Sequence, residues 1–190
     1  MDLAQRFVEG HETELEELIA LYGEKLLRYA TSILYSHQDA EDVVQDVFLC
    51  AYQKRLRFDG KNLSAWLYKI TYNSCLDKIK ATKRRKLFFF SDMKEEPSVY
   101  MEDTFSMPEI MEALEKLKPT ERALLFGRVM NGQSYEELSQ IMGQSPAALR
   151  KQYERAKKKA AKYLDEYGYG DMDAFHTHST FVRQKEGSRF

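Results

Sequence analysis

Ser134-Tyr-Glu-Glu-Leu-Ser-Gln-Ile-Met-Gly-Gln-Ser-Pro-Ala-Ala-Leu-Arg-Lys-Gln-Tyr153 is punctuated like two short helices in series. Ser134 followed by Glu137 is a capping box, in which a hydroxyl and a carboxylate each accept a backbone N–H that the helix start leaves free. Gly143 ends the first helix, because glycine takes the left-handed conformation needed there. Ser145 then caps a second helix with Pro146 at its first position, where a missing N–H costs nothing. A short helix, a tight turn and a longer helix have the proportions of a helix-turn-helix.

The second helix sorts by face. At about 100° per residue, Leu149, Tyr153, Ala156, Ala160 and Tyr163 share one side, the predicted core. Ala147, Ala148, Lys151, Arg155, Lys158 and Lys162 share the other. Small residues at the helix start allow close approach to a groove floor, and Lys151 and Arg155 can then reach bases or phosphates. Lys158 and Lys162 lie further along and suit backbone contacts. The plainer alternative is a solvated basic helix in a bundle.

Upstream, an acidic helix precedes a basic, aromatic one. Asp39-Ala-Glu-Asp-Val-Val-Gln-Asp-Val-Phe48 places Asp42, Gln45, Asp46, Leu49 and Gln53 on one face, beside an apolar stripe of Val44, Val47, Phe48 and Ala51. A leucine among carboxylates points to protein docking rather than simple solvation. Trp66-Leu-Tyr-Lys-Ile-Thr-Tyr-Asn-Ser-Cys75 leads on to Lys83-Arg-Arg-Lys86. Trp66, Lys69, Asn73, Asp77, Lys80 and Arg84 lie on one side; Tyr68, Tyr72, Cys75 and Ile79 lie on the other. An exposed tryptophan would serve as a platform for an unstacked base, and Asn73 could pair with a base edge. The basic run from Lys80 to Lys86 offers phosphate contacts, which are salt-sensitive. Ordinary core packing of Trp66 stays open beside this.

The charge pattern supports separate surfaces. From Met1 to Asp46, eleven acids stand against three Lys or Arg; from Lys54 to Lys86, eleven Lys or Arg stand against Asp59 and Asp77. The net charge of -1 conceals these blocks, whose local fields select partners. Two cysteines, Cys50 and Cys75, make no disulfide framework and fit a reducing compartment. No apolar run approaches the roughly 20 residues of a membrane span, so no membrane insertion is expected. The N-terminus, with Asp2, Glu9 and Glu12, lacks a signal-peptide profile, and a cytoplasmic location is expected.

The fold class read from this is all-α. A first helix is predicted over about Thr13 to Ser36, with Leu15, Leu18, Ile19, Tyr22, Leu26, Tyr29, Ala30 and Ile33 as its apolar stripe. Asp39 is the predicted N-cap of the second helix and Ser64 that of the third, with a loop over Phe58-Asp-Gly-Lys-Asn62 between them. Pro97, Pro108 and many acids mark a linker. Helices are predicted again over Met107–Leu117 and Thr120–Met130, the latter stopped by Asn131-Gly132. The domains are then residues 1–86, a linker over 87–107, residues 108–165, and a polar tail over 166–190.

Taken together, these residues resemble an RNA polymerase sigma factor of the extracytoplasmic-function group. Asp39 to Phe48 is similar to that family's polymerase-docking helix, Trp66 to Ile70 with Asn73 to its promoter-melting helix, and Ser134 to Ala156 to its downstream helix-turn-helix. The resemblance runs from about Leu15 to Leu164. It implies an alternative sigma factor that docks Asp42, Gln45, Asp46 and Leu49 on the β′ clamp helices of core RNA polymerase. It implies minus-ten DNA contacts by Phe58, Asn62, Leu63, Ser64, Trp66, Lys69, Asn73, Lys80, Lys83, Arg84 and Arg85. It implies minus-thirty-five contacts by Ser145, Ala147, Ala148, Arg150, Lys151, Gln152, Arg155 and Lys158, with the second domain seated on the β flap. The acidic linker, Asp92 to Asp103, would run toward the active-site cleft and the RNA exit path. An anti-sigma protein is implied as a candidate regulator. Departures are a shorter loop before Trp66, Gln152 where the family often has arginine, and a negative charge nearby at Glu154.

The residues alone leave two binding rivals: a helix-turn-helix regulator with an N-terminal sensor domain that binds duplex DNA without polymerase, and a helical interaction module without DNA, which would require the basic faces to be inert. An enzyme is not expected, because the carboxylates lie along a continuous helix with no partner histidine or glycine-rich loop. No cofactor and no metal are expected; His176 and His178 have no third ligand in view.

Overall fold

The computed structural model describes residues 3–10, 12–89 and 114–166, all of whose regular structure is helical. The predicted linker beyond Phe89, most of the Met107–Leu117 helix, and the tail with His176 and His178 lie outside these residues. The elements are α1 (Leu3–Glu9), α2 (Glu12–Leu34), α3 (His37–Gln53), a single 3-10 turn (Arg55–Arg57), α4 (Leu63–Phe89), α5 (Pro119–Val129), α6 (Tyr135–Met142) and α7 (Pro146–Glu166).

The first four helices form one bundle, with α2, α3 and α4 in mutual contact and α1 laid against α2. Phe7 is fully buried, and Arg6 pins α1 through a 2.7 Å ion pair to Glu17. Gly10 makes the sharp turn between α1 and α2 with φ +86°, and its carbonyl accepts a 2.8 Å hydrogen bond from the Tyr52 hydroxyl. A Cβ there would meet the flexible end of the Arg55 side chain at 2.3 Å, which can move aside; the positive φ is what demands glycine. The sequence pattern does not show α1: its 7 residues, about two turns, give too few apolar repeats to show a period.

Two helix starts differ from expectation for the same kind of reason. Ser36, not Asp39, caps α3, its hydroxyl accepting from the Asp39 N–H at 3.2 Å. Asn62, not Ser64, holds the start of α4, its Oδ1 accepting from Ala65 N–H at 2.9 Å. Short polar side chains a few residues apart are equivalent in sequence, and the strand-like backbone at the cap decides between them. Helix α4 also runs on through Phe89, into the stretch expected to be linker. On α2, Leu18, Leu26, Tyr29, Ala30 and Ile33 are buried as expected, but Ile19 is 44 % exposed, one residue off the stripe.

The last three helices pack on one another, and the capping predicted for them is present. Ser134 and Glu137 exchange hydrogen bonds, Glu137 N–H to the hydroxyl at 3.1 Å and Ser134 N–H to the carboxylate at 2.8 Å. Gly143 sits at φ +69°, and Ser145 Oγ accepts from Ala148 N–H at 3.3 Å. Gly127 lets α5 approach α6: a Cβ there would lie 2.8 Å from Leu138 Cδ2. Replacing Ser134 by alanine removes one acceptor and exposes one donor. The expected cost is about 1 kcal/mol, read as a melting point about 2–4 °C lower by circular dichroism; Ser134→Asp should retain the wild-type value, and an equal loss in both would dismiss the cap.

The two groups of helices are not separate. Helix α5 packs on α2 and α6 packs on α4. The buried apolar residues form one continuous core from Ala4 to Leu149. At the junction, the Tyr29 ring meets Tyr68 edge-on at 5.1 Å and Phe126 at 6.1 Å.

Candidate docking and nucleic-acid interfaces

Helix α3 turns its apolar stripe inward, with Val43, Val44, Val47, Phe48 and Ala51 buried. That fixes the opposite face in water: Asp42, Gln45, Asp46 and Leu49 are exposed. Leu49 is 58 % exposed, and Leu56, in the 3-10 turn just beyond, is 76 % exposed. Carboxylates edged by bare leucines make a surface for a basic, partly apolar protein partner. Lys78 reaches across from α4 to bind Asp39 at 2.9 Å and Asp42 at 3.3 Å. The hydrogen bond to Asp39 is the main cause raising the lysine's pKa. Neither Lys78 nor Leu56 was picked out from sequence. Lys78 shows its role only once α3 and α4 are packed.

The start of α4 divides the predicted base-contacting set. Phe58 and Leu63 are buried, so their side chains lie beneath the surface rather than on it. Phe58 underlies Trp66, with ring centroids 5.3 Å apart and planes at 42°. Trp66 is half-buried, joined to the core on one side. Ser64 is half-buried too, and Asn62 is occupied in capping. The loop is held by Gly60 at φ +79° and by Lys61 N–H donating to Asp59 Oδ1 at 3.1 Å. Lys69 and Asn73 are exposed along the same face as Trp66, followed by Lys80, Lys83, Arg84 and Arg85. Lys80 pairs with Asp77 at 2.9 Å, a surface contact that phosphate could replace at small cost. On the inner face, Tyr68, Tyr72 and Cys75 are buried as predicted. Burial pushes the Cys75 thiol up to about 12, so that sulfur is inert packing.

Helix α7 shows the predicted sorting. Leu149, Ala156 and Ala160 are buried, while Tyr153 and Tyr163 are half-buried. Ser145, Ala147, Ala148, Arg150, Lys151, Arg155 and Lys158 are exposed. Gln152 is half-buried. Tyr153 meets Tyr135 edge-on at 6.2 Å. Arg150 and Arg128 both lie over the Tyr135 ring, at 5.1 Å and 4.6 Å. Tyr135 thus fixes the angle between α6 and α7, and Arg150 is held against the protein by its ring. Lys151 and Arg155 project from the start of α7 as an uncompensated basic pair; none of the ion pairs among the described residues includes them. Among the described residues no cluster of His, Cys, Asp and Glu could hold a metal ion, and no helix is long and apolar enough to cross a membrane.

A bundle with an exposed acidic face and a basic aromatic helix, packed against a capped helix-turn-helix, fits the two-region sigma-70 class. Residues 18–85 match the family model of sigma-70 region 2 and residues 108–159 that of sigma-70 region 4, more than half of the chain together. Among curated relatives, the extracytoplasmic-function sigma factor SigM of Mycobacterium tuberculosis is 23% identical over 86% of this chain and 83% of its own length. The extracytoplasmic-function sigma factor BldN of Streptomyces coelicolor is 23% identical, over 86% of this chain, which spans only 65% of that relative. The fold is that of the sigma factor RpoE solved with the anti-sigma factor NepR from Bartonella quintana, at a TM-score of 0.71 and 24% identity over 79% of this chain and 96% of that one. The chain belongs to the extracytoplasmic-function group of RNA polymerase sigma factors, the alternative sigma factors that direct transcription initiation at chosen promoters.

Proposed function

We propose that residues 1–86 form the half that docks on core RNA polymerase and opens the minus-ten element. Residues 108–165 form the half that reads the minus-thirty-five element, with 87–107 as the connection. Docking falls to Asp42, Gln45, Asp46 and Leu49, the exposed face of α3, set against the β′ clamp helices. Asn73 and Lys69 take the base edges of unstacked DNA, with the half-buried Trp66 at the end of their row. Lys80, Lys83, Arg84 and Arg85 hold its phosphates. Lys151 and Arg155 read the upstream element in duplex form, Ala147 and Ala148 leaving room for the groove floor. The chain works by binding, with no catalysis of its own, in the cytoplasm where polymerase and promoter DNA are found. An anti-sigma protein is a fitting regulator, as NepR is for RpoE.

The observation that carries this division of labour is the exposed row Ala147, Lys151, Arg155 on a helix whose other side is buried and whose start is capped. Arg155→Ala should change the selected upstream sequence, since one good bidentate base contact contributes about 1–3 kcal/mol. Lys83→Ala with Arg84→Ala should instead weaken all promoters alike and flatten the salt dependence by about one log unit per lost phosphate contact. Transcription from a randomised upstream element at two salt concentrations separates the two. An unchanged consensus with Arg155→Ala, together with a changed one for the double variant, would reverse the assignment.

A further inference from the structure

We propose that Lys78 is an internal counter-ion of the docking face: anchored by Asp39, it occupies Asp42 loosely and so sets how tightly α3 binds core RNA polymerase. This deepens the docking reading given above, on which it rests. It adds two positioning residues, Lys78 and Asp39, that act through Asp42 rather than on the partner.

The two contacts of Lys78 are unequal. Its Nζ lies 2.9 Å from Asp39 Oδ1 and 3.3 Å from Asp42 Oδ2. The Asp39 side chain is 35 % exposed and that of Asp42 61 %. An ion pair weakens with distance and with surrounding water, so the nearer, more sheltered carboxylate is the anchor. The hydrogen bond to Asp39 is also the main cause raising the lysine's pKa, which keeps the ammonium charged at neutral pH. Asp42 holds the longer, wetter contact, the one that a partner's cation can displace. Three positions separate Asp39 from Asp42 and four separate Asp42 from Asp46, so the three carboxylates follow one side of α3. Asp46 is exposed and makes no ion pair with any described residue. The face thus offers a free carboxylate at Asp46 and a shared one at Asp42.

The fold does not need this ion pair. Helices α3 and α4 already pack on each other, with Val43 and Val47 of the one and Leu67, Tyr68 and Cys75 of the other in the same buried core. An exposed ion pair adds little to such a contact. What remains for Lys78 is the charge it brings to the docking face. A basic partner approaching Asp42 meets an ammonium already there. It must share the carboxylate or displace the lysine. Displacement strands no cation, because Asp39 keeps Lys78. Without Asp39, the same lysine would fall wholly on Asp42 and compete harder. The two residues therefore act on docking in opposite directions: Lys78 weakens it, and Asp39 relieves the weakening.

The test is titration of the labelled full chain against core polymerase, arranged as double-mutant cycles. Lys78→Met keeps the apolar stem and removes the charge. It should tighten binding by up to about 5-fold, the size of one exposed ion pair, and steepen its salt dependence. Lys78→Arg restores the charge and should bring the affinity back toward the wild-type value. Asp39→Asn should weaken binding by up to about 5-fold, and most of that loss should vanish once Lys78→Met is present. The gain from Lys78→Met should likewise vanish beside Asp42→Asn and persist beside Asp46→Asn. Circular dichroism checks that helix content is kept; if Asp39→Asn shortens α3, the Asp42 cycle reads the same coupling without it. Unchanged or weaker binding with Lys78→Met would overturn the proposal, as would a gain that persists beside Asp42→Asn. If Asp46→Asn weakens binding while Lys78→Met fails to tighten it, the docking reading stands and the counter-ion falls. If Asp42→Asn and Asp46→Asn both leave binding unchanged, the docking reading falls and takes the counter-ion with it.

Discussion

Charge reversal of Asp42 and Asp46 together is expected to weaken binding to core RNA polymerase by about 100-fold. Both side chains are exposed on the outer face of α3, and coupling between close charge pairs across an interface starts at about 1.5 kcal/mol. Two reversed partners therefore reach roughly that factor even at the weak end, since about 1.4 kcal/mol is tenfold. The fold should be unaffected, because Val43, Val44 and Val47 carry the inner face of the helix. Asp42→Lys does place a like charge near Lys78, which keeps its 2.9 Å partner Asp39. Titration of labelled protein against core polymerase, with helix content checked by circular dichroism, gives the answer. Unchanged affinity of the Asp42→Lys, Asp46→Lys variant would remove α3 from the interface.

The largest stability effect is expected from Tyr29→Ala. Tyr29 is fully buried and touches aromatic rings from both halves of the molecule. Truncating a large buried aromatic costs about 3–5 kcal/mol, which for a chain of this size lowers the melting point by about 6–20 °C. Calorimetry should show one transition moving as a whole, because the core is continuous from α1 to α7. Two transitions, of which only one moves, would mean that the halves melt independently and that the core is divided.

What could be read in advance was whatever acts over a few residues. The helix-turn-helix was legible because Ser134 with Glu137, Gly143, and Ser145 with Pro146 each do their work within one turn of chain. The exposed acidic face proposed for docking was legible because α3 is long enough for its 3.6-residue period to separate Asp42, Asp46 and Leu49 from Val43 and Val47. Which side chains of the proposed base-contacting set reach the surface was legible only in part. Phe58 and Leu63 carry no periodic mark that would say they face inward, and Asn62 was indistinguishable from Ser64 as a cap. The joining of the halves was not legible. Arg122 finds Ser32 across 90 positions, and Lys78 finds Asp42 across 36. In the chain, each is one more cation among 29.

The contact between Arg122 and α2 has a lopsided genetics. On one side stands a side chain; on the other, the carbonyls of Ser32 and Ile33, which every amino acid possesses. Changing Ser32 or Ile33 to another residue leaves an acceptor in place. Only at Arg122 does a single codon delete the donors outright. Ser32, half-buried, can therefore vary with its carbonyl kept in place, Ile33 is held by the core for its side chain, and loss of the contact itself would be written at Arg122.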